Sequence, residues 1–235
     1  PVPRCSAFRG IEAMRIGIIA GVEKEADAFA PGRHDRLEQH GHLSVRIVTL
    51  GAHEVAITCC GVGKVNAAIA ATMLATAHRA DLLMIIGTAG KLSSIEGDCF
   101  LIHEAVQGDY GAQRTEGFIH YTAGSWPIGP ARVEAFLAHP LPDIGLPRAR
   151  IVTGDAFVEC PDHSLRLREG LSGDLVDMET GALAQAAMRL GVPWAAIKAT
   201  TDDANGTSAG DFQANLLLAA RCAAEAAERS LARLS

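Results

Sequence analysis

The sequence predicts an α/β domain with a largely parallel sheet, and three stretches predict it. Asp174 to Asn205 (DLVDMETGALAQAAMRLGVPWAAIKATTDDAN) reads as strand, helix, strand. A short apolar run ends in Asp177-Met178-Glu179, and small and apolar residues at helical spacing fill Gly181 to Leu190. Gly191 and Pro193 then stop the helix before a second apolar run, Trp194 to Ala199. Met14 to Ala20 (MRIGIIA) and Asp81 to Ile86 (DLLMII) have the length and apolar continuity of buried strands. In parallel sheets, ligands collect outside the carboxyl ends of the strands. Asp177, Glu179, Asp202 and Asp203 follow two such ends and are expected to converge on one crevice.

The chain has 235 residues, enough to bury a substantial core within one domain. Hydrophobic residues make up 49% and charged residues 20%, ordinary values for a globular protein. No apolar run approaches the roughly 18 residues of a membrane span. A formal charge of -6 and a pI near 5.8 argue against nucleic acid and for a small, uncharged or cationic ligand. Cys5, Cys59, Cys60, Cys99, Cys160 and Cys222 form no C-x-x-C pair and no metal spacing with histidine, so a reducing cytoplasm is expected. None of the 9 histidines recurs at a metal-binding interval. Residues 1–13 lack the apolar core of a signal peptide. Met14 reads as the natural start, residues 1–13 as a disordered or expression-derived extension, and 14–235 as a single domain.

In chain order, Gly21 ends the first strand and Glu23-Lys24-Glu25 opens a helix, with acids where the helix dipole favours them. Glu23 and Glu25 can be solvated helix-start acids, or one of them can serve a site at the strand end. His34 to Thr58 suggests a strand meander, with His42 to Leu50 and Glu54 to Cys60 joined by a turn at Gly51-Ala52-His53. Cys60-Gly61-Val62-Gly63-Lys64 leads into an Ala-rich helix reaching about His78. It lacks the third glycine of a dinucleotide fingerprint and the Ser/Thr of a Walker loop, so tight helix packing is the expected role of its glycines. The strand Asp81 to Ile86 ends in Gly87-Thr88-Ala89-Gly90, small residues that let a flat ligand approach the backbone. Cys99 to Ala105 is a further strand. Tyr110 to Arg150 reads as surface loops with a short helix over Pro130 to Ala138. Arg150 to Thr153 is a strand leading to Gly154-Asp155-Ala156-Phe157-Val158, and Ala209 to Leu234 forms an amphipathic closing helix.

MRIGIIAGVEKEADAF, CGVGKVNAAIAA, IIGTAGKL, GDAFVE, VDMETGALA and KATTDDA, in this order, resemble the nucleoside phosphorylase and nucleosidase superfamily. They are most similar to 5′-methylthioadenosine/S-adenosylhomocysteine nucleosidases, and the likeness spans nearly the whole chain. The resemblance implies a three-layer nucleoside phosphorylase-like α/β fold, with a mixed central β-sheet flanked by helices, and a homodimer. It also implies a small-molecule nucleoside substrate, no metal or organic cofactor, and no nucleic-acid or membrane partner.

Carried over residue by residue, the resemblance makes Glu25 the carboxylate that activates water and Asp202 the acid that protonates adenine at N7. Glu179 holds the ribose hydroxyls above Met178, and Phe157 and Val158 stack on and pair with the base. Thr88 and Gly90 border sugar and base, Val62 belongs to the glycine loop at the site, Thr201 stands where serine is common, and Phe212 lines the 5′-alkylthio pocket. Cleavage of an N-glycosidic bond passes through an oxocarbenium-like sugar, which calls for a base on one face and an acid at the leaving group.

Lys198 stands where these nucleosidases typically carry arginine, and Asp177 replaces a glutamate of the V-E-M-E pattern. Both keep charge but change reach. Asp203 reads as a solvated strand-end acid or helix cap. The loop Gly108 to Gly129, together with a second subunit, is expected to set the 5′ specificity. Two other readings stay open. One is a purine nucleoside phosphorylase, for which Arg114 or Lys91 would supply phosphate-binding cations. The other is a non-catalytic nucleoside-binding protein.

Overall fold

Residue parity along three adjacent strands divides the core into two faces. The computed structural model describes residues 13–125 and 132–234. In β1 (Arg15–Ala20), β5 (Leu82–Lys91) and β12 (Trp194–Asp202), successive side chains point to opposite sides. Ile16, Ile18, Leu82, Met84, Ala195 and Ile197 enter one core cluster. Ile19, Leu83, Ile85, Trp194 and Ala196 enter the other. Strands buried on both faces explain the unbroken apolar runs in the sequence.

Each face is covered by a helix pair. Helices α1 (Glu23–Ala28) and α5 (Ser208–Leu231) pack over the first cluster through Ala26, Ala219, Ala223 and Ala227. Helices α2 (Lys64–Thr76) and α4 (Thr180–Leu190) pack over the second through Ala67, Ala70, Leu74, Leu183 and Ala187. The alanines let helices and sheet approach closely. Gly17 carries this further, because a Cβ there would lie 2.9 Å from Leu74 Cβ.

The sheet is mixed. Strand β1 runs parallel to both β4 (His53–Cys59) and β5, and β5 is parallel to β12. Strands β2 (Arg36–His40), β3 (Leu43–Leu50) and β4 form an antiparallel meander that leaves β2 at the edge. Beyond β12 lie β6 (Cys99–Gln107), antiparallel to it, then β10 (Arg148–Thr153) and β11 (Leu175–Asp177), parallel to one another. The last turn of the ring is a contact between β11 and the far end of β5, Leu175 opposite Lys91 and Val176 opposite Gly90. Through it, β5, β12, β6, β10 and β11 close on themselves, and the carboxyl ends of β5, β10, β11 and β12 are drawn together.

Two segments differ from the sequence-based expectation. A short helix over Pro130 to Ala138 does not form: Pro130 and Ala131 lie outside the described residues, while Phe136–Leu137 is β9, paired antiparallel with β6. Backbone bonding to β6 and burial of Phe136 outweigh the local preference. A helix that the sequence reading passed over, α3 (Pro161–Leu171), starts with Pro161 in its first turn, where a missing N–H costs nothing. Its Leu167 and Leu171 pack with Val106, Val152 and Val158 in a third cluster. Within the expected loop region, β7 (Gly111–Arg114) and β8 (Gly117–His120) form an isolated hairpin. The expected extension 1–13 lies, apart from Ala13, outside the described residues.

Candidate active site

Strand ends and the loops after them enclose a cavity of about 390 Å³, within the range of small-molecule sites. Gly21, Val22 and Glu25 enter it from the end of β1, Thr88 and Gly90 from β5, and Phe157 and Val158 from the loop after β10. Met178 and Glu179 enter from the end of β11, Thr201 and Asp202 from β12, Phe212 from α5, and Val62 from the glycine loop before α2. Every site residue expected from the sequence therefore borders one hollow. Asp177 joins them, whereas Asp203 does not: it is exposed and faces a separate cavity beside Lys91 and Asn215. Asp203 lies just past the last residue of β12, whereas bonds from the Thr201 hydroxyl and the Ala204 N–H hold Asp202 at the cavity wall. Gln213, Ala209 and Ala156 also line the cavity, and only the proximity of Gln213 and Ala209 to Phe212 in sequence could have suggested them.

Glu25 is 5% exposed, and both of its carboxylate oxygens accept hydrogen bonds. One oxygen accepts from the Gly21 and Val22 N–H groups at 2.9 and 3.1 Å, as the third helical residue does when it reaches back to the helix start. The other accepts from the N–H and hydroxyl of Thr88 at 2.8 and 2.7 Å. This close seat requires glycine at 87: the backbone there has φ +146°, and a Cβ would lie 2.7 Å from the Glu25 carboxylate.

Glu179 caps α4 at the end of β11 and is 6% exposed. Its Oε1 accepts from the Gly63 N–H at 2.9 Å, while the adjacent Lys64 N–H donates to Asp155 at 2.8 Å. Gly63 has φ +106°, which accounts for its glycine. The glycine loop thus turns its donors toward carboxylates of the protein and fixes Glu179, a role that tight packing alone did not anticipate. Burial pushes the Glu179 carboxyl up to about 7, aided by Asp177 and opposed by Lys198 and the Gly63 N–H.

Asp202 is half-buried at the opposite side of the constellation's chain order, on β12. Its Oδ1 accepts from the Ala204 N–H at 2.9 Å and its Oδ2 from the Thr201 hydroxyl at 2.8 Å. A Cβ on Gly90 would stand 3.0 Å from Asp202 Oδ1, so the small strand residue makes room for the acid. Phe157 and Phe212 meet edge to face, with ring centroids 5.9 Å apart, and form an apolar wall.

A family profile described as the phosphorylase superfamily matches residues 15–232. The chain belongs to that superfamily. The chain is 29% identical over 229 residues to a 5′-methylthioadenosine/S-adenosylhomocysteine nucleosidase of Mycobacterium tuberculosis, covering 85% of this chain and 90% of that one. It is 29% identical over 241 residues to the Staphylococcus aureus protein of the same name, covering 93% and 100%. The fold is similar to that of the S-adenosylhomocysteine nucleosidase of Streptococcus pyogenes in complex with 5-methylthiotubericidin. That likeness has a TM-score of 0.82 at 24% identity and covers 97% of this chain and 100% of that one.

Two departures within this superfamily member turn out to be partners. Lys198 Nζ lies 2.9 Å from Asp177 Oδ2, and both side chains are buried. Asp177 also accepts from the Thr153 and Thr180 hydroxyls and the Thr180 N–H. Burial disfavours the Lys198 ammonium, but Asp177, Glu179 and Glu25 outweigh it and hold its pKa above the ordinary value. The shorter acid and the non-forked cation are thus matched to each other directly.

The cations expected of a phosphate site are elsewhere. Lys91 donates to the Gly97 carbonyl and sits over the Phe100 ring, and Arg114 donates to the Tyr121 hydroxyl. Neither lines the cavity, and no lysine or arginine does among the described residues. Of the loop Gly108 to Gly129, expected to set the 5′ specificity together with a second subunit, the structure describes residues up to 125. Within one chain, residues 108–125 contribute nothing to the cavity wall, and β7 and β8 pair with each other apart from the main sheet.

The Glu179 shift has a measurable consequence. An unfolded chain releases this proton near 4.5 and the folded one near 7, so between those values the folded state holds the extra proton. Its contribution to stability therefore falls as pH rises through that window and is constant above it. Urea unfolding of wild type and Glu179→Gln across this range should show the wild type losing stability relative to the variant as pH rises. A constant difference would contradict the shift.

Proposed function

We propose that this chain hydrolyses the N-glycosidic bond of an adenine nucleoside of the 5′-methylthioadenosine or S-adenosylhomocysteine class, releasing adenine and the 5-substituted ribose. The observation that carries this reading is that Glu25, Glu179 and Asp202, from three strand ends, border one cavity with Phe157. The base lies against Phe157 and Val158, and the 5′ substituent runs toward Phe212. Asp202 gives its proton to N7, which turns adenine into a neutral leaving group. Glu179 holds the ribose hydroxyls beside the developing positive charge. Water hydrogen-bonded to Glu25 passes a proton to its carboxylate as it attacks the anomeric carbon from the face opposite the base.

Water is favoured over phosphate because the wall carries carboxylates and no lysine or arginine among the described residues, and a phosphate dianion would be repelled. The test is incubation with 5′-methylthioadenosine, with and without phosphate, while adenine and the sugar product are followed. Release without phosphate is the expected result. Release that requires phosphate would make the protein a phosphorylase, and binding without release from any purine nucleoside would make it a sensor.

A homodimer follows from the same reading. The packed helices α2 and α4 expose Val65, Ile69 and Met188, and Val62 at the cavity mouth is also exposed. A second copy seated there would bury this apolar surface and bring its own residues to the open end of the cavity. Ile69→Asp is expected to yield a monomer in sedimentation velocity, and a wild-type monomer would overturn the assignment. A reducing cytoplasm is supported by the free Cys59, Cys60, Cys99, Cys160 and Cys222. Among the described residues, no helix is long and apolar enough to cross a membrane.

A further inference from the structure

We propose that Glu38, His40 and His78 form a binding site for a divalent transition-metal ion of the zinc class, with three protein ligands and a fourth position open to water. Glu38 and His40 are two residues apart on the edge strand β2 and so project from the same face. His78 arrives from the segment just past α2, where the carbonyl end of the helix favours a cation.

Glu38 Oε2 lies 3.5 Å from His40 Nε2 and 3.8 Å from His78 Nε2, and the three ligand atoms all fall within 4.8 Å of one another. Zinc bonds of about 2.0–2.2 Å in a tetrahedron place neighbouring ligand atoms roughly 3.3–3.5 Å apart. Small side-chain movements close the difference. The His40 and His78 rings meet edge to face with centroids 5.0 Å apart, and the Nε2 atom of each lies near the same oxygen of Glu38.

The second, independent observation is His78 itself. Its side chain is only 7% exposed, and its Nε2 is buried without a hydrogen-bond partner. The 3.8 Å to Glu38 is too long for a hydrogen bond. A buried ring nitrogen left in this state carries its full desolvation cost, which a metal bond would remove. Arg36 Nε binds the other oxygen of Glu38, fixing the carboxylate so that Oε2 faces the two imidazoles, the kind of support that orients ligating carboxylates. Two imidazoles with one carboxylate suit zinc, cobalt or nickel and disfavour magnesium and calcium. None of the three residues lines the nucleoside cavity, so the site is separate from the chemistry proposed above.

The test uses the full chain, stripped of metal with a chelator and dialysed. It is titrated near neutral pH with zinc chloride by calorimetry and with cobalt chloride by visible absorption. One equivalent per chain is expected with a Kd of about 10 µM or below, accompanied by cobalt d–d bands of a four- or five-coordinate ion. His40→Gln and Glu38→Gln, at half-buried positions, should each weaken binding by about tenfold or more. His78→Gln should do the same if circular dichroism shows it folded, and the other two variants decide the matter if it is not. No saturable binding below about 100 µM would overturn the proposal and leave an ordinary His–Glu contact. Binding that is indifferent to His40→Gln and Glu38→Gln would overturn it equally and point to other ligands.

Discussion

Asp202→Asn is expected to lower the rate of adenine release by about 10²- to 10⁴-fold, the usual worth of a positioned general acid. The substitution is nearly silent structurally. The amide oxygen still accepts from the Ala204 N–H, and the Thr201 hydroxyl can rotate to accept from the new amide group. On the proposed mechanism only the proton delivered to N7 is lost, so substrate binding should persist while turnover collapses. Glu25→Gln should reduce turnover by about the same 10²- to 10⁴-fold but with a second signature. All contacts to Glu25 are donors, so an amide must turn its NH₂ either on the Gly21 and Val22 N–H groups or on Thr88. A stability loss of about 1–3 kcal/mol is therefore expected for Glu25→Gln and not for Asp202→Asn. Steady-state release of adenine together with urea unfolding separates the two. Turnover within tenfold of wild type for either variant would remove that residue from the mechanism.

How much of this was legible in the sequence depended on the range of the interaction. The strands β1, β5 and β12 announced themselves because burial on both faces writes an unbroken apolar run. That the expected residues would border one cavity was legible because, apart from Phe212 on α5, they follow or end strands within motifs of several residues. What was not legible is set by distant partners. Phe136–Leu137 became a strand through bonding to β6, some thirty residues earlier, and nothing local signals it. The polar α3 has too few apolar residues to show a stripe, although Pro161 and the Leu167–Leu171 spacing mark it in retrospect. The role of Gly63 depends on a carboxylate 116 residues away. Glu38 and His40 are close in sequence, but His78 is supplied by another element, so no interval betrayed the cluster.

The Lys198–Asp177 pair carries the largest expected effect on stability. Both side chains are buried, and Lys198 also faces the field of Glu179 and Glu25. Lys198→Met keeps the volume of the stem but removes the cation that the structure pairs with Asp177. Breaking one partner of a buried pair typically costs about 3–5 kcal/mol, because the remaining charge is left in low dielectric. Asp177 retains its bonds from Thr153 and Thr180, so the loss reflects charge rather than unmet hydrogen bonding. Removing Lys198 also removes an influence that lowers the Glu179 pKa, so Glu179 should stay protonated to still higher pH, and the pH at which it titrates becomes an independent readout. Adding Asp177→Asn should recover part of the stability, since the uncompensated charge is then gone, while Asp177→Asn alone should destabilise by stranding the ammonium. A double-mutant cycle in urea gives the coupling directly. Single and double effects that simply add would mean that the two groups, 2.9 Å apart, do not depend on each other.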